Sequence, residues 1–408
     1  MNRQKSQLAI IFFTVFLYLV GFGVVIPITP MLAKNFGATG FQVGLLLSIY
    51  SLMQFLFAPF WGRLSDRRGR RPILLFCLLG ECLSYIAFAL ARNLETLFLA
   101  RMFAGFFGAS ISTASAYISD ITPKEERSKG MALLGVAFGL GFLVGPALGG
   151  GLAYWGAQIS PEPHFDTSFT AYWVSALCLI NFLFGLKYLK ESLSEKAPHQ
   201  EQRKRIAQLF HFLRQGMIGR LITVFFLSSL AMSMMEATLV LFVGDRFQWT
   251  VREVSFGFAY IGLITVISQG FLVRRLLPKL GEKKMLFFGL GMMTIALSMI
   301  PFSPSIPVLA VSQTLLALGI SFTNPSTMGS ISLLADPKEQ GAVMGTTQGT
   351  ASLGRIIGPA VGGWLYQHVS IGTPFVMSGF LAFMGLLVVV LNFPKLPDSA
   401  LRKKEVPA

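Results

Sequence analysis

The sequence predicts an all-α membrane protein: twelve transmembrane helices in two pseudo-symmetric six-helix bundles, with both termini cytoplasmic. Three observations predict it. First, 53% of the 408 residues are hydrophobic, 13% are charged and mean hydropathy is +0.63, whereas soluble domains carry about 25% charged residues. A soluble chain this apolar would expose large adhesive patches. Second, apolar stretches of about 20 residues, long enough to cross a bilayer, begin near Leu8, Gly44, Pro72, Thr96, Met131, Thr170, Arg220, Ser255, Met285, Ile306, Ala342 and Thr373. Third, positive charge is confined to alternate turns. With the N-terminus inside, only Lys34, Arg92, Arg246 and Arg252 fall in external segments, and Arg101 and Arg355 fall within spans. Every other Lys and Arg is cytoplasmic, which is the positive-inside asymmetry. It accounts for the net charge of +15 without any nucleic acid.

The opening run MNRQKSQLAIIFFTVFLYLVGF is charged and then apolar, like a signal peptide. Its apolar part is too long, and no small-residue cleavage site precedes Pro27 and Pro30, so an uncleaved first span is expected. Cys77, Cys82 and Cys178 all fall in spans, and neither a disulfide nor a metal site is expected of them. The longest polar interruption, Lys187 to Gln215, divides six spans from six. The expected organisation is therefore a first bundle over 1–189, a cytoplasmic linker over 190–215, a second bundle over 216–394 and a cytoplasmic tail over 395–408.

Such a plan predicts internal repetition. GLGFLVGPALGG (139–150) and SLGRIIGPAVGG (352–363) match at seven of twelve positions without a gap, each in the fifth span of its half. Gly141, Gly145 and Gly149 recur every fourth residue, as do Gly354, Gly358 and Gly362, so each set makes a smooth stripe that another helix can approach closely. Pro146 and Pro359 bend the same segments, and Gly150 extends the first stripe. The stripes are expected to be where the two halves slide. Arg355 stands where Phe142 stands in the first copy, so the halves are not equivalent.

Loop 2–3 reads GRLSDRRGRRP. It is either a plain positive anchor or a latch. In the latch, Gly62 allows close helix approach, Asp66 faces a neighbouring helix N-terminus, Gly69 permits a tight turn, and Arg70 and Arg71 pair with acids or lipid phosphate. Here the chain resembles the major facilitator superfamily, whose signature G-x-x-x-D-R-x-G-R-R is matched by Gly62, Asp66, Arg67, Gly69, Arg70 and Arg71. Within it, the glycine-rich fifth span resembles that of the twelve-span drug–proton antiporters, through Gly141, Gly145, Pro146, Gly149 and Gly150. AYISDITPKEER and GDRFQW resemble the tetracycline–proton antiporter and multidrug branch. The resemblance covers essentially the whole chain.

The resemblance implies roles for individual residues. Leu97, Arg101 and Gly105 match the family's span-four pattern L-x-x-x-R-x-x-x-G, which implies that Arg101 acts in proton transfer or tunes the acid that carries the proton. Arg101 lies about 9 Å below the outer surface by helical rise, and snorkelling is its plainer alternative. Asp120 is implied to lie within reach of Arg70; otherwise it is a solvated helix end. Tetracycline-type exporters carry an aspartate in span one before a glycine and proline pattern. Gly21, Gly23, Pro27 and Pro30 keep that pattern, but Tyr18 stands in the aspartate's place, so the acidic group is expected to be missing.

That moves the coupling role to Glu236 in span seven, the carboxylate expected to be buried in the second half. It is read either as the proton-coupling or cation-recognition group or as a structural hydrogen-bonder. Glu81 in span three ranks below it, since third spans are peripheral in this fold. Arg355 should face the cavity, with Glu236 or an anionic substrate group as partner. Met and aromatic side chains suit a promiscuous apolar cavity, with Tyr18, Gln54, Gln269, Asn324 and Gln348 as its polar contacts.

The leading reading is export of small lipophilic compounds, cationic ones among them, in exchange for protons by alternating access. No GxxxxGK[ST] occurs, nor HExxH or GxSxG, so neither ATP-driven pumping nor enzyme activity is expected, and no cofactor. A metabolite facilitator or proton symporter is the alternative, and a non-transporting receptor or scaffold the distant one. A monomer spanning the cytoplasmic (inner) membrane several times is expected, with substrate, protons and lipid as partners.

Overall fold

Within a bilayer nothing but the chain itself can satisfy backbone N–H and C=O groups, which leaves helices as the solution for apolar runs of this length. The computed structural model describes residues 3–122, 127–162, 164–193, 205–336 and 339–397, and among them there is no strand. Residues 194–204 of the expected linker 190–215 and 398–408 of the expected tail 395–408 lie outside the described residues.

The helices are α1 (Arg3–Asn35), α2 (Gly40–Arg68), α3 (Arg70–Ala89), α4 (Leu94–Gly108), α5 (Ile111–Ile121), α6 (Arg127–Ile159) and α7 (Phe165–Tyr188), then α8 (Arg205–Leu213), α9 (Gly216–Phe247), α10 (Val251–Ile267), α11 (Arg274–Met299), α12 (Ile306–Leu334), α13 (Gln340–His368) and α14 (Thr373–Leu391). A π-helical turn, Ser268–Val273, joins α10 to α11. Among the described residues, nine helical stretches are long and apolar enough to cross a membrane, the longest running from Val251 to Phe302. The protein is thus a multi-pass membrane protein.

Local chemistry sets several helix starts. Thr39 caps α2: its side chain accepts from the Gln42 N–H at 3.3 Å, and the Gln42 side chain accepts from the Thr39 N–H at 2.9 Å. Asn93 and Thr96 make the same reciprocal cap for α4, each box contributing about 1 kcal/mol. Span four is not one continuous helix. It breaks between α4 and α5 at Gly108, Ala109 and Ser110, as Gly/Ser pairs do.

By packing, the chain forms two units, residues 1–200 with 243–262, and residues 201–242 with 263–408. In the first, α1, α3, α5 and α6 share a core around Ile11, Val15, Leu19, Leu74, Tyr117 and Ala137. Residues 243–262 join this unit through the Lys34–Asp245 ion pair and through Arg252, whose guanidinium lies 4.4 Å from the Tyr154 ring centre. In the second unit, Leu221, Val224, Leu286, Leu290, Ile331 and Val389 form the core. Large apolar side chains such as Phe103, Trp155, Ile180 and Phe380 point outward, as lipid-facing surfaces require.

Both glycine stripes are close helix contacts inside their own units. A Cβ at Gly141 would lie 2.7 Å from the Leu19 Cβ, one at Gly145 would lie 2.7 Å from the Val20 carbonyl oxygen, and one at Gly149 would lie 3.2 Å from Val24. The stripe on α6 therefore fits against α1. Gly23 on α1 answers it, since a Cβ there would come 2.7 Å from the Gly141 oxygen. Gly354, Gly358 and Gly362 on α13 meet Leu230, Ser233 and Met234 of α9 in the same way, and Pro359 is buried beside them. The faces of Gly141, Gly145 and Gly149 are thus filled by α1 and those of Gly354, Gly358 and Gly362 by α9, where sliding surfaces were expected, whereas Gly150 meets span eight: a Cβ there would lie 2.8 Å from the Ser255 Cβ of α10.

Candidate functional site

The loop 2–3 residues build a charged knot at one end of the first unit. Gly69 sits at φ 105°, a backbone that side chains rarely adopt, and turns the chain from α2 into α3. The turn exposes the N–H groups that begin α3. The Glu191 carboxylate takes two of them, accepting from Arg70 N at 2.8 Å and Arg71 N at 3.2 Å. Helix N-termini favour negative charge, and here the acid comes from the segment after α7. Asp66 does not take this place; it pairs with Arg70, one turn on. A Cβ at Gly69 would lie 2.5 Å from Glu191 Oε2, so the glycine also makes room for the cap. Gly62, expected to allow close helix approach, has nothing within 4 Å of where its Cβ would be.

Arg70 is buried, and its guanidinium donates to Asp120 Oδ2 at 3.0 Å and to Ser65 Oγ at 2.7 Å. Asp120 also accepts from Ser192 Oγ at 3.1 Å. Arg71 donates to the Leu186 carbonyl at 2.7 Å, and Arg67 is exposed. The knot thus ties α2, α3, α5 and the end of α7 together. Charge-assisted bonds of this kind are among the stronger ones.

Deeper in the same unit a polar cluster surrounds the break in span four. The break leaves the Gly108 carbonyl without a helical donor, and two side chains take it: Tyr18 Oη donates at 3.3 Å and Gln54 Nε2 at 3.1 Å. The Tyr18 and Tyr50 hydroxyls are 3.1 Å apart. A Cβ at Gly108 would lie 2.8 Å from Tyr50 Oη, 3.0 Å from Tyr18 Oη and 3.1 Å from Glu81 Oε1, so the three oxygens converge on one point. Glu81 is hydrogen-bonded to Tyr18. Arg101 stacks on Tyr50, with its guanidinium carbon 4.5 Å from the ring centre. Glu81 and Arg101 are only 2% and 3% exposed, which removes snorkelling as an account of Arg101.

Two expectations change here. Glu81 is not peripheral, because α3 carries it inward between α1 and α4. Nor does the neighbourhood of Tyr18 lack a carboxylate: the acid arrives from α3 instead of α1. Gln54 belongs to this cluster through its bond to the broken helix.

In the second unit, Glu236 on α9 is half-buried and lies within electrostatic reach of Arg355 on α13. Arg355 donates to Ser352 Oγ at 3.0 Å, and Ser352 Oγ donates to the Gln348 carbonyl at 3.1 Å. Gln348 and Arg355 are exposed on the face of α13 turned away from its buried glycines. Gln269, in the π-helical turn, and Asn324, on α12, are exposed as well. A second buried carboxylate, Glu282, was missed; it follows Gly281, whose φ of 76° repeats the turn made by Gly69. The signal was available, since LGEKKM in α11 occupies the same place in its half as RGRRPI in the first.

Comparison with known proteins agrees with this architecture. The model of the Major Facilitator Superfamily matches residues 11–281 and 270–408. The tetracycline resistance protein, class C, of Escherichia coli is 32% identical over 88% of this chain and 89% of its own. Multidrug resistance protein 2 of Bacillus subtilis (strain 168) is 30% identical over 98% of each chain. Among solved structures, the human organic anion transporter MFSD10 (TETRAN) superposes with a TM-score of 0.71 at 26% identity, covering 95% of this chain and all of that one. The chain belongs to the major facilitator superfamily and is a secondary transporter.

Proposed function

We propose that the protein exports small lipophilic compounds, cationic ones among them, in exchange for protons by alternating access. The observation that carries this reading is Glu236, half-buried on α9 and within electrostatic reach of Arg355 on α13. A carboxylate inside a membrane protein is costly unless it is paired or faces a water-filled cavity. Glu236 can be neutralised in two ways, by Arg355 or by a proton. A substrate cation competing for the same carboxylate would displace the proton, and that competition is the exchange. The names of the relatives, tetracycline resistance and multidrug resistance, support drug-like substrates. Twelve spans, cytoplasmic termini, bundles over 1–189 and 216–394, an inner-membrane location and a monomeric state belong to the same proposal and rest on the charge pattern and the repeat.

Everted vesicles test it. Acidifying the lumen should drive ethidium inward in vesicles holding the unaltered protein, and Glu236→Gln should abolish that uptake. Ethidium uptake by Glu236→Gln equal to the unaltered protein overturns the exchange at this residue.

Arg355 favours a second reading, in which substrates carry an anionic group. Arg355 is exposed, and the human relative of solved structure is described as an organic anion transporter. Under this reading Arg355→Gln loses transport of an organic anion such as fluorescein and keeps ethidium. Under the first reading Glu236→Gln loses ethidium.

A further inference from the structure

We infer that the first unit holds a second proton-carrying site: Glu81, cradled by the broken helix at Gly108 and reached through the Tyr18 hydroxyl. The inference rests on the proton-exchange reading but on different residues.

Three observations lead to it. Discontinuous membrane helices expose backbone groups and so make ion sites, and the α4–α5 break does so at Gly108, where Glu81 Oε1, Tyr18 Oη and Tyr50 Oη converge. The cluster is also incompletely satisfied. Glu81 Oε2 and Arg101 Nε are buried without a hydrogen-bond partner, although buried polar atoms nearly always have one. A merely structural carboxylate would be expected to use both oxygens. One left over, opposite a cation that also has a donor left over, suits a group whose proton comes and goes. Finally, Tyr18 also borders open space. A small cavity, with room for about one water molecule, is lined by Thr14, Tyr18, Leu78 and Ser110 among others, and Leu78 is one turn before Glu81 on α3. It lies on the side of Tyr18 toward the α1 N-terminus.

The proton inventory makes Tyr18 the conduit. Its hydroxyl has one proton and three acceptors around it: Gly108 O, Tyr50 Oη and the Glu81 carboxylate. When that proton passes to Glu81, the Tyr18 oxygen is refilled by a proton from a hydronium ion reaching the cavity, which is left as water. The oxygen ends as it began, and one proton has moved from the medium to Glu81. Every group facing Glu81 takes part in its charge balance: Tyr18 from α1, Tyr50 from α2, Cys77 and Tyr85 from its own helix, Arg101 from α4 and Cys178 from α7. Arg101 is the one cation of the set, so it compensates Glu81 when the proton leaves.

Infrared difference spectra of the purified full-length protein in lipid, recorded between acidic and alkaline buffer without substrate, test this directly. A carboxyl C=O band should change with pH, be lost in Glu81→Gln, remain in Glu236→Gln and shift in Tyr18→Phe, where the hydrogen bond is gone. Unreactive buried thiols in each variant verify folding. A Glu81→Gln spectrum matching the unaltered protein overturns the site, and an unshifted band in Tyr18→Phe overturns the conduit. Because no substrate is present, the result stands apart from ethidium exchange. Failure of Glu236→Gln to affect ethidium leaves this outcome untouched, and loss of this outcome leaves that exchange untouched.

Discussion

Gly145→Ala adds one methyl group where α6 meets α1. Its Cβ would lie 2.7 Å from the Val20 carbonyl oxygen and 2.8 Å from Gly23 Cα. Both are backbone atoms, so no side chain can swing aside. Restoring ordinary contact requires the helices to part by about 0.7 Å, and a gap of that order forfeits roughly a quarter to a half of the dispersion attraction along the seam. Overpacking of this kind costs about 1–3 kcal/mol, a factor of about 5 to 160 in the folded-to-unfolded ratio. The same helix supplies the control, since nothing lies within 4 Å of where a Gly151 Cβ would be. Cys77, Cys82 and Cys178 are buried and free, so a thiol-reactive fluorophore in a temperature ramp reads unfolding of this unit. Gly145→Ala should expose the thiols at a lower temperature than the unaltered protein, and Gly151→Ala should match it or gain slightly from helix propensity. Gly145→Leu, which must push the helices further apart, should reach the membrane and transport nothing. Identical ramps for Gly145→Ala and Gly151→Ala would refute the close-contact reasoning.

Other outcomes follow from the same geometry. Glu191→Gln removes the negative charge from the α3 N-terminus and should cost about 0.5–2 kcal/mol, read in the same thiol ramp. Gly69→Ala should cost more, since it meets both an unfavourable φ and the Glu191 carboxylate. Arg70→Lys retains the charge but cannot reach Asp66, Asp120 and Ser65 together, so ethidium exchange in vesicles should fall well below the unaltered protein. Gly62→Ala should leave stability unchanged, given the open space around it.

The membrane character, the repeat and the family were legible because they rest on composition, charge placement and local motif. The knot around Arg70 was partly legible, since Asp66, Arg70 and Asp120 stand out as charges near apolar runs. Glu191 was not, because it lies far along the chain from the turn it caps and nothing in its local sequence marks it. The break in span four had a signal in the Gly-Ala-Ser at residues 108–110, yet hydropathy averages over it and reads one continuous span.

By itself the sequence determined which surfaces are smooth and which residues are costly to bury. Glycines at every fourth position make a stripe whatever it meets, and Glu81, Arg101, Glu236 and Arg355 are expensive in any membrane fold. Only the tertiary structure decided the partners. It set the α6 stripe against α1 and the α13 stripe against α9, where sliding surfaces had been expected. It also returned a carboxylate to Tyr18 from another helix. The physical reason is that periodicity along one helix specifies a face, whereas the atoms opposite that face belong to segments distant in the chain.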